Sequence, residues 1–135
     1  MLNTFPMLLY PFFAPLILRV AVGLLFVGVG VRTWRHAARL AEVSVPVLGK
    51  QAWVPYFVGL FELALGLMFL AGWYTQVAAI IAIIGVIKYA VYRRWWPQVL
   101  AGYFPVSPTT AVLLAVICLS LLISGAGAFA QDLPL

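Results

Sequence analysis

The chain alternates between four long apolar runs and short polar or proline-rich breaks. The first run covers about residues 15–31, and Pro15 suits the first position of a helix. Residues 1–13 are apolar and punctuated by proline, so they lie in an interface or lengthen this first helix. The second run covers about 53–70, with Pro55 in its first turn. Gly72, Trp73, Tyr74 and Thr75 form a tight turn, and the third run follows over about 76–92. Arg93-Arg94-Trp95-Trp96-Pro97 ends it. The stretch 97–108 holds Pro97, Pro105 and Pro108 and reads as a loop. The fourth run covers about 109–123, and Ser124-Gly125-Ala126-Gly127 stops it. Roughly 20 helical residues at about 1.5 Å each cross a bilayer core of about 30 Å. The four runs predict four crossings, slightly short, with interfacial Trp and Tyr making up the difference. Trp34, Trp53, Trp95 and Trp96 fall at one face of such a bundle, and Trp73 and Tyr74 at the other.

Small residues stripe the runs. Gly23 and Gly30 share a helix face with Arg19 and Phe26, and Gly59 and Gly66 share one with Glu62. Ala78, Ala82 and Gly85 do so in the third run, and Ala111 and Ala115 in the fourth. Stripes of this kind let helices approach closely in lipid. The prediction is an all-α integral membrane four-helix bundle in one domain, 1–135. Bulky aliphatic faces, on which Leu121 is expected, meet lipid or a partner.

Composition supports lipid as the solvent. Of 135 residues, 66% are apolar and 8% are charged, where a soluble domain carries about a quarter charged. So short a chain has too little interior to hide that much apolar surface. The net charge is +5, yet the basic groups flank apolar runs, so lipid headgroups rather than nucleic acid are their expected partners. The connection 32–52 holds Arg32, Arg35, Arg39 and Lys50, and the connection 93–108 holds Arg93 and Arg94. The positive-inside rule then places both connections in the cytoplasm and both termini outside. In the first connection, 33–43 suits a short surface helix with Arg32, Arg35 and Arg39 on one face. Those three, with Arg93 and Arg94, are headgroup-binding candidates as well as topology-setting charges. The N-terminus has no Lys or Arg ahead of its apolar residues and does not read as a signal peptide.

Three ionisable side chains fall inside the runs: Arg19, Glu62 and Lys88. A charge at the bilayer centre costs about 2.5–3.5 kcal/mol on insertion scales, so each should face the bundle interior or a water-filled cavity. Glu62 lies near the middle of its run and must be paired or protonated. Lys88 lies at a reachable depth and Arg19 at a marginal one, so the expectation is an ionised Glu62 bonded to at least one of them. Two readings stay open. The pair pins helix register while Arg19 snorkels outward, or the cluster is a functional site on a quinone or proton path.

Little else carries chemistry. His36 is the single histidine and Cys118 the single cysteine. That excludes bis-histidine haem, an internal disulfide and a CxxC pair, and no metal-ligand cluster is apparent. Cys118 reads as a packing residue, and His36 as a headgroup neighbour. No catalytic triad, phosphate-binding glycine loop or pair of catalytic carboxylates can be assembled. No covalent cofactor is expected. A bound quinone needs only an apolar slot with a few polar groups.

The arrangement resembles the DoxX family of small four-helix membrane proteins of bacteria and archaea. The likeness spans roughly Ile17 to Asp132. Leu18-Arg19 through Gly23 and Phe26 is similar to that family's opening L-R-x-x-x-G-x-x-F helix. Gly59, Glu62 and Gly66 are similar to its G-x-x-E-x-x-x-G helix. Thr75-Gln76-Val77-Ala78-Ala79 is similar to the T-R-x-A-A that begins its third helix, with Gln76 in place of arginine. Gly125-Ala126-Gly127-Ala128-Phe129 with Asp132 is similar to its closing G-x-G-x-aromatic-x-x-D. Many members end the first helix with His-Gly and a nearby Lys; here Val29-Gly30 precedes Arg32, so no histidine role carries over. The family is named for the small subunit of a thiosulfate:quinone oxidoreductase, and other members are associated with redox or oxidative-stress functions. The resemblance implies a small subunit of a quinone-linked redox system in a prokaryotic inner membrane. The alternative is an accessory or scaffold subunit that stabilises a larger membrane complex. Either role brings other membrane subunits, or further copies of the chain, as partners.

Overall fold

The structure is a computed structural model that describes residues 10–42, 51–95, 97 and 106–125. The closing motif at 126–132, Lys50 and Trp96 lie outside the described residues, as does most of the 97–108 loop. Among the described residues all regular structure is helical: α1 (Tyr10–Arg35), α2 (Ala37–Leu40), α3 (Val54–Ala71), α4 (Thr75–Trp95) and α5 (Pro108–Ser124). Phe13–Arg35, Val54–Ala71 and Thr75–Trp95 are long and apolar enough to cross a membrane. The 17-residue α5 is a shorter apolar helix of about 26 Å, at the lower edge of the spanning range. The protein is an all-α membrane helical bundle.

The helices α3 and α5 begin and end within one or two residues of the second and fourth apolar runs. The first helix is longer, because Pro15 lies inside it rather than at its start. A proline in the second turn removes only one early hydrogen bond, and spanning helices tolerate that. Local chemistry sets the breaks. Gly72 adopts the left-handed conformation at the end of α3, φ 69°, which glycine does without steric cost. Trp73 N–H then closes onto Met68 O at 3.0 Å. Ser107 caps α5, its Oγ accepting from Thr110 N–H at 3.2 Å, with Pro108 in the first turn. The surface helix expected over 33–43 is split. Thr33 to Arg35 continue α1, and α2 follows a break at His36, with Ala37 and Leu40 buried.

The bundle is made of two tight pairs, α1 with α3 and α4 with α5. In the first pair the predicted glycine faces meet in antiparallel register. A Cβ on Gly30 would lie 2.8 Å from Leu63 N and 2.9 Å from Gly59 O. One on Gly66 would lie 2.7 Å from Val27 N and 2.9 Å from Gly23 O. The backbones therefore touch, and only glycine fits between them. The shared core draws on every long helix: Val22, Leu65, Phe69, Ala78, Ala79, Ala82, Leu114, Cys118 and Leu121. Phe26 stacks on Phe69 at 6.0 Å between ring centroids. Two face assignments are corrected here. Leu121, expected toward lipid, is fully buried, and Gly85, expected in a packed stripe, is exposed with nothing within 4 Å of a Cβ.

Candidate functional site

The seven-residue glycine spacing of α1 and α3 fixes what lies between the glycines. Glu62 falls between Gly59 and Gly66 on the buried face of α3 and is 6% exposed. Its carboxylate Oε2 accepts from Thr33 Oγ1 at 3.0 Å, across to the last turn of α1. Glu62 is mid-helix in α3 yet level with the C-terminal end of α1, because the two helices are staggered. Gly23, in the middle of α1, faces Gly66 and Leu70 in the second half of α3.

That stagger separates the intramembrane charges. Gly23 and Gly66 are level; Arg19 is four residues from one and Glu62 four residues from the other, in opposite directions. At about 1.5 Å per residue they stand roughly 12 Å apart along the seam. Arg19 is buried, 2% exposed, so it does not snorkel to the outer surface. Lys88 is exposed, with Nζ 5.6 Å from the centroid of the Tyr92 ring, a cation–π distance. Ala78, Ala82 and Tyr89 mark the buried face of α4, and Lys88 is turned about 100° from Tyr89. Among the described residues the hydrogen-bond partner of Glu62 is Thr33, and Lys88 acts on the carboxylate only through its charge.

The described arginines other than Arg19 gather at one end of the bundle. Arg32, Arg35, Arg39, Arg93 and Arg94 are all exposed there, with Trp34, Trp53 and Trp95 beside them. Trp34 meets Tyr56 edge-on at 5.5 Å. Trp73 and Tyr74 stand exposed at the other end. His36 Nδ1 donates to Arg32 O at 2.9 Å and so belongs to the end of α1. At the arginine end α4 and α5 part to leave a groove of about 380 Å³ lined by Val86, Ala90, Ala111, Val112, Tyr89 and the two arginines 93 and 94. Tyr89 Oη donates to Val106 O at 2.7 Å and accepts from Arg93 Nη1 at 3.2 Å. Among the described residues no three His, Cys, Asp or Glu side chains gather to hold a metal.

Sequence reasoning passed over two residues that organise these places, Thr33 and Tyr89. Thr33 was legible. It continues the stripe 19, 23, 26, 30, 33, whose spacing of alternate four and three residues is that of a packed seam. Tyr89 had no such signal, since its hydroxyl partner Val106 lies across a loop.

The match to the DoxX family model covers residues 14–95, more than half of the 135-residue chain. No curated protein and no solved structure matches the chain. The matched region contains Arg19, both glycine pairs, Glu62 and the start of α4; the closing motif lies beyond it. A DoxX match over most of the bundle, on helices whose motif glycines meet backbone to backbone, identifies the chain as a member of the DoxX family.

Proposed function

We propose that this protein is a small, non-catalytic membrane subunit of a quinone-linked redox system, packing against larger membrane partners and stabilising them. The observation that carries the non-catalytic role is the Thr33–Glu62 hydrogen bond inside a closed glycine seam. A carboxylate tied to a hydroxyl between touching backbones is placed to fix the register of α1 on α3. The redox setting rests on the family resemblance. The seam beside Glu62 does not fit a quinone ring: a single methyl group on Gly30 or Gly66 would already collide with the facing backbone. A quinone in the system therefore binds outside this seam. The second reading, Glu62 on a proton or quinone path, is favoured by the carboxylate's place within a spanning helix.

Glu62→Gln separates the two. The amide oxygen still accepts from Thr33, but the side chain no longer carries an exchangeable carboxyl proton. The host complex should assemble and keep its quinone-dependent turnover. Intact assembly with lost turnover would transfer Glu62 to the proton-path reading. Purification in mild detergent, with mass spectrometry of retained subunits and lipids, should recover partner subunits. We place the protein in a prokaryotic inner membrane with its arginine end cytoplasmic and its termini outside. In a chain with Cys118 replaced by alanine, Trp73→Cys should label from outside with an impermeant thiol reagent, and Arg39→Cys only after permeabilisation. The reverse pattern would invert the topology.

A further inference from the structure

We infer that the groove between the last turns of α4 and the first turn of α5 is a selective site for an acidic phospholipid, its phosphate held by Arg93 and Arg94 and an acyl chain lying along Val86, Ala90, Ala111 and Val112. In a bilayer no groove on the outer surface stays empty, so the question is which amphiphile this one selects. Its two ends differ in chemistry. Arg93 and Arg94 stand at the mouth, while Val86 is seven residues, or about 10 Å, deeper toward the bilayer centre. The depth is apolar, and Ala90 and Ala111 keep it open. A guanidinium has five N–H donors. Arg93 spends one on the Tyr89 hydroxyl, which is itself anchored on Val106 O. That ladder orients the planar fork toward the groove, and bidentate recognition of phosphate is what such a fork does best. The chain offers these arginines little acid of its own. It has three carboxylate side chains, Glu42, Glu62 and Asp132; Glu42 follows α2 and Glu62 is sealed in the other seam. Among the described residues no acidic side chain lines the groove, and the inferred lipid supplies the counter-charge. A neutral quinone would leave both arginines uncompensated.

The inference depends on membrane placement and not on the redox reading, so either can fail alone. The full chain in non-ionic detergent is offered equal amounts of phosphatidylglycerol and phosphatidylcholine, and retained lipid is counted by native mass spectrometry. Each arginine near the headgroup favours a net-anionic lipid over a zwitterionic one about fivefold, so the pair should give roughly 25-fold selectivity. Arg93→Gln with Arg94→Gln should abolish the preference. Ala90→Leu, on an exposed helix face, should fill the depth and lower retention with both arginines intact. Arg32→Gln with Arg35→Gln removes equal charge at the same end and should lower selectivity far less than the groove pair does. The inference is overturned if that control pair lowers selectivity as much as the groove pair, which would mean diffuse charge. It is overturned if inorganic phosphate competes as well as the lipid, which would mean the apolar walls contribute nothing. Retention of ubiquinone over phosphatidylglycerol, lost in Ala90→Leu but kept in the arginine pair, would overturn it in favour of a quinone slot.

Discussion

The two tight helix pairs use small residues in opposite ways. Between α1 and α3 the small residue is glycine, the backbones touch, and the space is closed so fully that a carboxyl and a hydroxyl are sealed together. On the α4 and α5 side it is alanine: Ala78, Ala79 and Ala82 meet Leu114, Cys118 and Leu121 in the core, and toward the arginine end the helices part around Ala90 and Ala111. Lipid tails are as apolar as leucine, so neither pair is held by the hydrophobic effect in the usual sense; packing and hydrogen bonds must do it. A glycine seam gains dispersion by contact between backbones and excludes ligands. An alanine seam needs larger side chains to fill it, and where they run out it leaves room for an amphiphile. The first pair therefore reads as the rigid frame and the second as the face that responds to its surroundings.

The largest effect expected from breaking this contrast is on the side-chain-filled pair. Leu121→Ala should cost about 3 kcal/mol, within the range for emptying a buried leucine site, because Leu121 is 0% exposed. Leu119→Ala, half exposed two residues earlier, should cost under about 0.5 kcal/mol. Equal thermal shifts in detergent would put the wrong face of α5 inward. The glycine seam is tested by Gly66→Ala. The added methyl meets Val27 N and Gly23 O, backbone atoms that yield only if α1 moves. The loss should be about 2 kcal/mol, as overpacking produces, and a variant that melts with the parent would mean the seam is looser than described.

Helix positions were legible because proline, glycine and paired arginines punctuate the apolar runs, and these residues act locally. The α1–α3 seam was legible because glycine at seven-residue spacing marks a face on each helix. Faces were harder where a helix is apolar all round. Nothing in α5 distinguishes Leu121 from Leu119 by chemistry, and Gly85 resembles a seam glycine until its neighbours are known. The site was half legible. Glu62 and its inward face follow from Gly59 and Gly66, but its partner depends on the stagger of α1 against α3. The 36–53 connection does not fix that stagger, and centring both helices on one plane brings Arg19 too near. The exposure of Lys88 was not legible, because matching depth says nothing about rotation around α4.

The seam's polar couple should show a smaller effect than its glycines. Glu62→Ala leaves the Thr33 hydroxyl without its acceptor in a buried place, which costs about 1.5 kcal/mol in the range for an unsatisfied group. Glu62→Gln keeps the acceptor and should lose less than half as much. Adding Lys88→Met to Glu62→Ala should recover nothing, since Lys88 lies out along Tyr92. Recovery of most of the loss, measured as unfolding in detergent, would restore an ion pair between Glu62 and Lys88 and displace Thr33.

The smallest effect, and the one of opposite sign, belongs to the glycine that makes no seam. Gly85 sits inside α4 on an exposed face, and a Cβ there meets nothing within 4 Å. Glycine within a helix interior is worse than alanine by up to about 1 kcal/mol, because the unfolded chain gives up more freedom. Gly85→Ala should therefore raise the melting temperature slightly, while Gly66→Ala lowers it. The two substitutions are chemically identical and differ only in what faces the new methyl. If Gly85→Ala instead destabilises the isolated protein, a second copy of the chain must press its backbone against that face in detergent, and a cross-link between Gly85→Cys copies would detect it. If it is silent alone but weakens assembly with other membrane subunits, the open glycine is where a partner helix docks.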